Sequence, residues 1–108
     1  MKYVLLFCGT NEDATRFAAM TPDQSRQAYA KIGQWWQEHQ SKIVGGEQLQ
    51  PANTATHFWG TPMRSSPMAR LIEAKEQIGG FAIVDVADLD EALRMARTSP
   101  AGSVEVVR

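Results

Sequence analysis

Two short stretches of this chain, "YVLLFC" at 3–8 and "FAIVDV" at 81–86, are apolar at nearly every position. Successive side chains of an extended strand point to opposite faces, so Tyr3, Leu5 and Phe7 line one side of the first stretch and Val4, Leu6 and Cys8 the other. A strand apolar on both faces is stable only when both faces are covered. Asp85 is the polar member of the second stretch. A carboxylate there needs a partner, a shifted pKa or a place at the strand's fraying end.

The helices available to cover such strands can be read from their caps. In "TPDQ" at 21–24, Thr21 suits an N-cap, Pro22 the first helical position, and Gln24 can reach back to close a capping box. Ala28, Ile32, Trp35, Trp36 and His39 then recur at three- and four-residue spacings, which predicts an amphipathic helix to about Ser41, with Glu38 and Lys42 forming an i,i+4 pair. Asp88 with Glu91 predicts a second capping box. Leu89, Ala92, Leu93 and Ala96 would be the buried stripe of that helix, and Arg94 and Arg97 suit its C-terminal end. "SVEVV" reads as a last strand.

Between the helices, "THFW" predicts a strand over 54–59 paired with a shorter one before Pro51, and "TPMRSSP" reads as a loop. "EAKEQIGG" at 73–80 is expected to make one helical turn whose glycines swing the chain into the strand at 81–86. Gly45-Gly46 and Gly79-Gly80 lack any phosphate-binding context and read as bulges or turns where backbones approach closely.

The resulting order, strand, helix, strand, strand, strand, helix, strand, describes an α+β, ferredoxin-like split βαβ domain: an antiparallel sheet with two main helices on one face. Its other face is left apolar. A second copy of the chain is the economical cover, so the pattern predicts a homodimer.

Composition narrows the function classes. The chain has 108 residues, 44% of them apolar, which predicts a single domain over 1–108. Eleven basic and twelve acidic side chains give a formal charge of -1, with no like-charge run longer than two residues. That is no footprint for nucleic acid or an anionic membrane. "MKYVLLFCGTNED" reads as a strand and not as a signal peptide or membrane span, which predicts a cytoplasmic protein. Cys8 stands alone among apolar neighbours and is expected to be an inert core thiol.

"MKYVLLF", "GGEQLQPANTAT", "EAKEQIGGFAIVDVADLDEAL" and "GSVEVV" together resemble the YCII-related family, in particular its DGPF-domain branch. The resemblance spans nearly the whole chain. It implies a dimeric α/β barrel, in which two ferredoxin-like sheets pack face to face around a cleft. The branch's Asp-Gly-Pro-Phe signature falls here on Met68, Ala69, Arg70 and Leu71, so its carboxylate and its turn are replaced. High helix propensity at these positions predicts a helical turn or irregular segment with Leu71 or Ile72 packed inward. Several relatives carry a Thr where this chain has His57.

His39, on the apolar stripe beside Trp35 and Trp36, is the candidate general base, with a core-edge histidine as the structural alternative. The resemblance retains Glu47 and Glu73, which makes them the candidate carboxylate partners. Glu76 and Lys75 read as a solvated turn. Trp35, Trp36, His57 and Trp59 are candidate ligand-wall residues, although His57 also fits an ordinary strand. Two histidines and one cysteine at no ligand spacing predict no metal, and no cofactor is expected. Two function classes stay open: a small-molecule-binding or regulatory domain with its cleft between helix and sheet of a homodimer, and a cofactor-independent enzyme acting on a small aromatic or cyclic substrate. Replacement of the signature aspartate favours the first; the tryptophans and His39 keep the second.

Overall fold

The computed structural model describes residues 1–50, 54–56 and 76–108, with the backbone but not the side chain of Glu76. Along the chain run β1 (Lys2–Thr10), α1 (Asn11–Ala18), α2 (Pro22–Glu38), β2 (Ile43–Gln48), β3 (Glu76–Asp85), α3 (Leu89–Arg97) and β4 (Ser103–Val107). The strands form one antiparallel sheet in the order β2-β3-β1-β4, the expected ferredoxin-like α+β arrangement. The two doubly apolar stretches are its central pair, β1 and β3, because only an inner position offers hydrogen-bond partners along both edges of a strand.

The sheet's two faces are unequal. Tyr3, Leu5, Ala82, Val84 and Val86 pack with Trp35 of α2 and with Ala92 and Met95 of α3 into the core, and Phe7, Trp36, Ile43, Val104 and Val106 pack against its margin. Leu5 and Val84 are wholly buried. Each contributes about 1.5–3 kcal/mol relative to an exposed position. On the opposite face, register aligns Val4 with Ile83 and Val107, and Leu6 with Phe81 and Glu105. Val4, Leu6, Phe81 and Ile83 are only half-buried, and none belongs to the core packing.

Helix α2 begins as its sequence predicts: Thr21 Oγ1 accepts from Gln24 N at 3.2 Å, and Gln24 Oε1 accepts from Thr21 N at 3.0 Å. It ends at Glu38 rather than Ser41. Helix α1 is an addition to the expected elements. Thr10 and Asp13 cap it reciprocally, the Asp13 carboxylate accepting from Thr10 N at 2.9 Å and Thr10 Oγ1 from Asp13 N at 3.1 Å. The Thr10 backbone N–H, then the Thr10 hydroxyl and Arg16 beside the carboxylate, hold the Asp13 pKa below its ordinary value.

Other expectations are corrected. Residues 76–80 are strand, not helical turn, because Thr10, Gly9 and Cys8 of β1 pair with Glu76, Gln77 and Ile78 and satisfy that backbone as a ladder. Thr54 lies in a 3₁₀ turn, and Ala55 and Thr56 belong to no regular element. β2 pairs with β3, and residues 57–59 of the expected strand lie outside the described residues. Leu89 is 47% exposed and Met95 takes its place on the buried face of α3, since the contact with Trp35 lies at the helix's far end. Asp88 caps α3 by accepting from Glu91 N at 2.9 Å. The Glu91 carboxylate reaches Lys42 Nζ at 2.7 Å instead of closing the box, so Lys42 does not pair with Glu38, which accepts from Gln34 at 3.1 Å. Asp85 is the last residue of β3, exposed, with the Met1 amino nitrogen 3.2 Å from its Oδ1. The loop at 61–67 and the replaced signature with Leu71 and Ile72 lie outside the described residues.

Both glycine pairs sit at bulges. Register shifts between Ile43 and Gly45 and between Phe7 and Cys8, where Gly79 is the extra residue on β3. At Gly46, φ is +144°, and a Cβ would stand 2.3 Å from Phe81 O and 2.7 Å from the Trp36 ring. Gly33, inside α2, has nothing within 4 Å of the same position. Chemical denaturation should therefore separate the two: Gly46→Ala loses about 2–4 kcal/mol or fails to fold, whereas Gly33→Ala gains about 0.5–1 kcal/mol.

The Lys42–Glu91 pair ties the start of β2 to the first turn of α3, and it holds the Glu91 pKa below the ordinary value. A depressed carboxylate contributes stability above its unfolded pKa, and the contribution is lost as pH falls through the folded value. Melting curves of Glu91→Gln should lie below wild type at neutral pH and converge with it below about pH 4, with the gap also narrowing in high salt.

Candidate functional site

The C-terminal turn of α2 places three of the sequence's candidates side by side, on the helix-covered side of the sheet. Trp35 and Trp36 project from successive positions and so diverge by about 100° around the helix. Trp35 turns inward to 3% exposure. Its Nε1 donates to Met95 O at 3.0 Å and to Thr98 Oγ1 at 3.2 Å, and its ring meets Phe7 edge-on at 5.5 Å. With its donor satisfied and its ring enclosed, Trp35 is a core residue.

His39 is the C-cap of α2. Its ring lies 5.0 Å from that of Trp35, tilted by 55°, and its Nε2 is 3.3 Å from Thr98 Oγ1. The Thr98 hydroxyl donates to Met95 O at 3.0 Å and accepts from Trp35 Nε1, leaving one lone pair. A hydrogen bond to His39 therefore calls for the Nε2–H form of the imidazole. That nitrogen is committed to α3, and no carboxylate lies within hydrogen-bond reach of the ring among the described residues.

Trp36 is half-buried over Gly46, with ring contacts to Trp35 at 5.7 Å and Phe7 at 6.4 Å. Among the described residues its indole N–H has no hydrogen-bond partner. With Gln37, Gln40 and Ile43 it lines an open depression of about 310 Å³ at the junction of α2 and β2. A second shallow depression, of about 400 Å³, lies over Asn11, Glu12, Thr15 and Arg16 of α1.

Glu47 lies elsewhere. Register sets it opposite Phe81 on the face away from the helices, and it is exposed. Gly46, its neighbour, faces Trp36, so the alternation of the strand separates Glu47 from His39 by the thickness of the sheet. Within one protomer the two do not meet. Glu73, His57 and Trp59 lie outside the described residues. Sequence reasoning missed Thr98, whose hydroxyl joins Trp35 to His39, and the pair Gln37 and Gln40. The signal for Gln37 and Gln40 was their three-residue spacing beside Trp36; Gln40 lies in the turn just past the helix, where its N–H donates to Gln37 O at 3.3 Å.

Among the described residues no group of three or more His, Cys, Asp or Glu is placed to hold a metal ion, and no helix is long and apolar enough to cross a membrane. Cys8 is buried.

Comparison with known proteins places these features in a family. A family model for the YCII-related domain matches residues 1–108. No curated protein sequence matches the chain. Among solved structures the chain is similar to 5-chloro-2-hydroxyhydroquinone dehydrochlorinase (TftG) from Burkholderia phenoliruptrix AC1100, in its complex with 2,5-dihydroxybenzoquinone. The match covers 100% of this chain and 92% of that one at a TM-score of 0.55 and 14% identity. At that identity the likeness carries the fold.

The His39–Thr98–Trp35 network makes a direct prediction for stability. Denaturation of His39→Ala and of Thr98→Val should each show a loss of about 1 kcal/mol, the worth of one hydrogen bond. The double variant should lose less than the sum, because both changes break the same contact. Additive losses would mean that His39 and Thr98 are not coupled.

Proposed function

The chain belongs to the YCII-related domain family, and from that premise we propose that it is a small-molecule-binding domain that works as a homodimer. The observation that carries the dimer is the row of Val4, Leu6, Phe81 and Ile83, half-buried on the face of the sheet that α2 and α3 leave to itself. Face-to-face packing of two such sheets would complete their burial. The recess lined by Trp36 and Ile43, between helix and sheet, is the ligand cleft of this reading. The likeness to a protein solved with a one-ring quinone supports a small cyclic ligand.

The second reading, a cofactor-independent enzyme with His39 as general base and Glu47 or Glu73 as its partner, draws support from the dehydrochlorinase neighbour. The commitment of His39 Nε2 to Thr98 and the position of Glu47 on the opposite face weigh for the binding domain. In a dimer Glu47 would border the paired sheets, while His57 and Trp59 extend the set of candidate ligand residues.

Light scattering at micromolar concentration is the test. Wild type should run at about twice 12.0 kDa, with an interface of about 1,200 Å² or more. Leu6→Lys should shift it to the monomer while keeping the far-ultraviolet circular dichroism, since the side chain is not part of the core. A wild-type protein that stays monomeric rules out the dimer.

A further inference from the structure

The recess beside Trp36 has a chemical character that narrows its ligand. Its lining combines one indole, two carboxamides and one aliphatic side chain: Trp36, Gln37, Gln40 and Ile43. None of these described residues carries a formal charge. The ionic side chains nearest in sequence are engaged elsewhere, Glu38 by Gln34 at 3.1 Å and Lys42 by Glu91 at 2.7 Å. The Lys42 charge is thereby matched by Glu91, and the Glu38 carboxylate offers no counter-charge to an anion. Hydrogen-bonding capacity, by contrast, is open, because among the described residues the Trp36 indole N–H and the Gln37 and Gln40 amides make no side-chain hydrogen bond, whereas the donor of the adjacent Trp35 is fully used.

The indole is also fixed in place. Trp35 and Phe7 hold it edge-on, and Gly46 lets its ring close down on β2, where any larger residue would push it away. An aromatic surface packed edge-on by two neighbouring rings favours a flat partner. At about 310 Å³ the depression lies at the small end of ligand pockets. A charged ligand would give up hydration here without gaining a counter-charge.

We infer that this recess takes a single uncharged ring bearing hydrogen-bonding substituents, laid against Trp36 with its polar edge toward Gln37 and Gln40. The inference rests on the small-molecule reading above and adds to it the charge class of the ligand and its orientation in the recess.

Three pairs of probes differ by one charge: hydroquinone and 2,5-dihydroxybenzoate, uracil and orotate, benzamide and benzoate. Each is titrated into the full chain at millimolar concentration and followed by nuclear magnetic resonance of the indole N–H groups and the backbone amides. The Trp36 signal is assigned by its loss in Trp36→Phe. At least one neutral probe should shift the Trp36 indole while leaving that of Trp35 in place, and its charged counterpart should bind about tenfold more weakly or less. In Gln40→Lys, an exposed substitution, the anionic member should recover most of that deficit. A charged member that binds as tightly as its neutral counterpart overturns the charge class. Shifts confined to the amides of Leu6, Phe81 and Ile83 overturn the place and leave small-molecule binding standing. If no probe moves any signal, both the inference and the small-molecule reading fall.

Discussion

The buried indole of Trp35 is the contact on which the rest of the architecture depends. It is the large core side chain of α2, it meets Phe7 of β1, and its N–H reaches across to the last turn of α3. One side chain thus joins both helices to the sheet. The hydrogen bond to Met95 O adds a donor from α2 to a carbonyl that also accepts from the Thr98 N–H and hydroxyl at the end of α3. A phenylalanine could fill most of the volume, but it would lose both hydrogen bonds that the indole makes to the end of α3.

Close packing of α2 on the sheet makes a second demand, which falls on the strands. Trp36 follows Trp35 and cannot also turn inward, so it lies over β2, and β2 must come close enough to receive it. Gly46 makes that approach possible, with a backbone conformation and a clearance that exclude a Cβ. The bulges at Val44 and Gly79 re-aim the strand ends next to it. The recess beside Trp36 is therefore a product of core packing: an aromatic side chain is left half-exposed because its neighbour took the interior.

The same layering separates groups that sequence proximity seemed to gather. His39 and Glu47 are eight positions apart, yet a turn and a strand put them on opposite sides of the sheet. The histidine becomes a cap that ties two helix ends together, and the carboxylate joins the rim of the face that α2 and α3 leave open. The chain thus has one face that carries the helices and the Trp36 recess and another that carries the half-buried apolar row, so that the proposed ligand binding and the proposed association would use different surfaces.

Much of this was legible in the sequence. Hydrophobic runs at 3–8 and 81–86 identified the central strands, and the Thr21–Gln24 and Asp88 caps located both main helices, because alternation and capping are local patterns that survive without tertiary context. The family resemblance was legible for the same reason. Pairing was not. Whether residues 76–80 would coil or extend depended on a ladder with Cys8–Thr10, and whether Glu91 would close its own box or meet Lys42 depended on where β2 ran. The short helix after Thr10 was missed because its cap uses Asp13 where the usual motif has Glu or Gln. Which of two adjacent tryptophans entered the core, and hence which one borders a recess, was decided only when α3 presented Met95 O and Thr98 to one of them. Sequence determined the elements and their amphipathic faces; long-range hydrogen bonds and the limited room beneath α2 decided which side chains remain available for function.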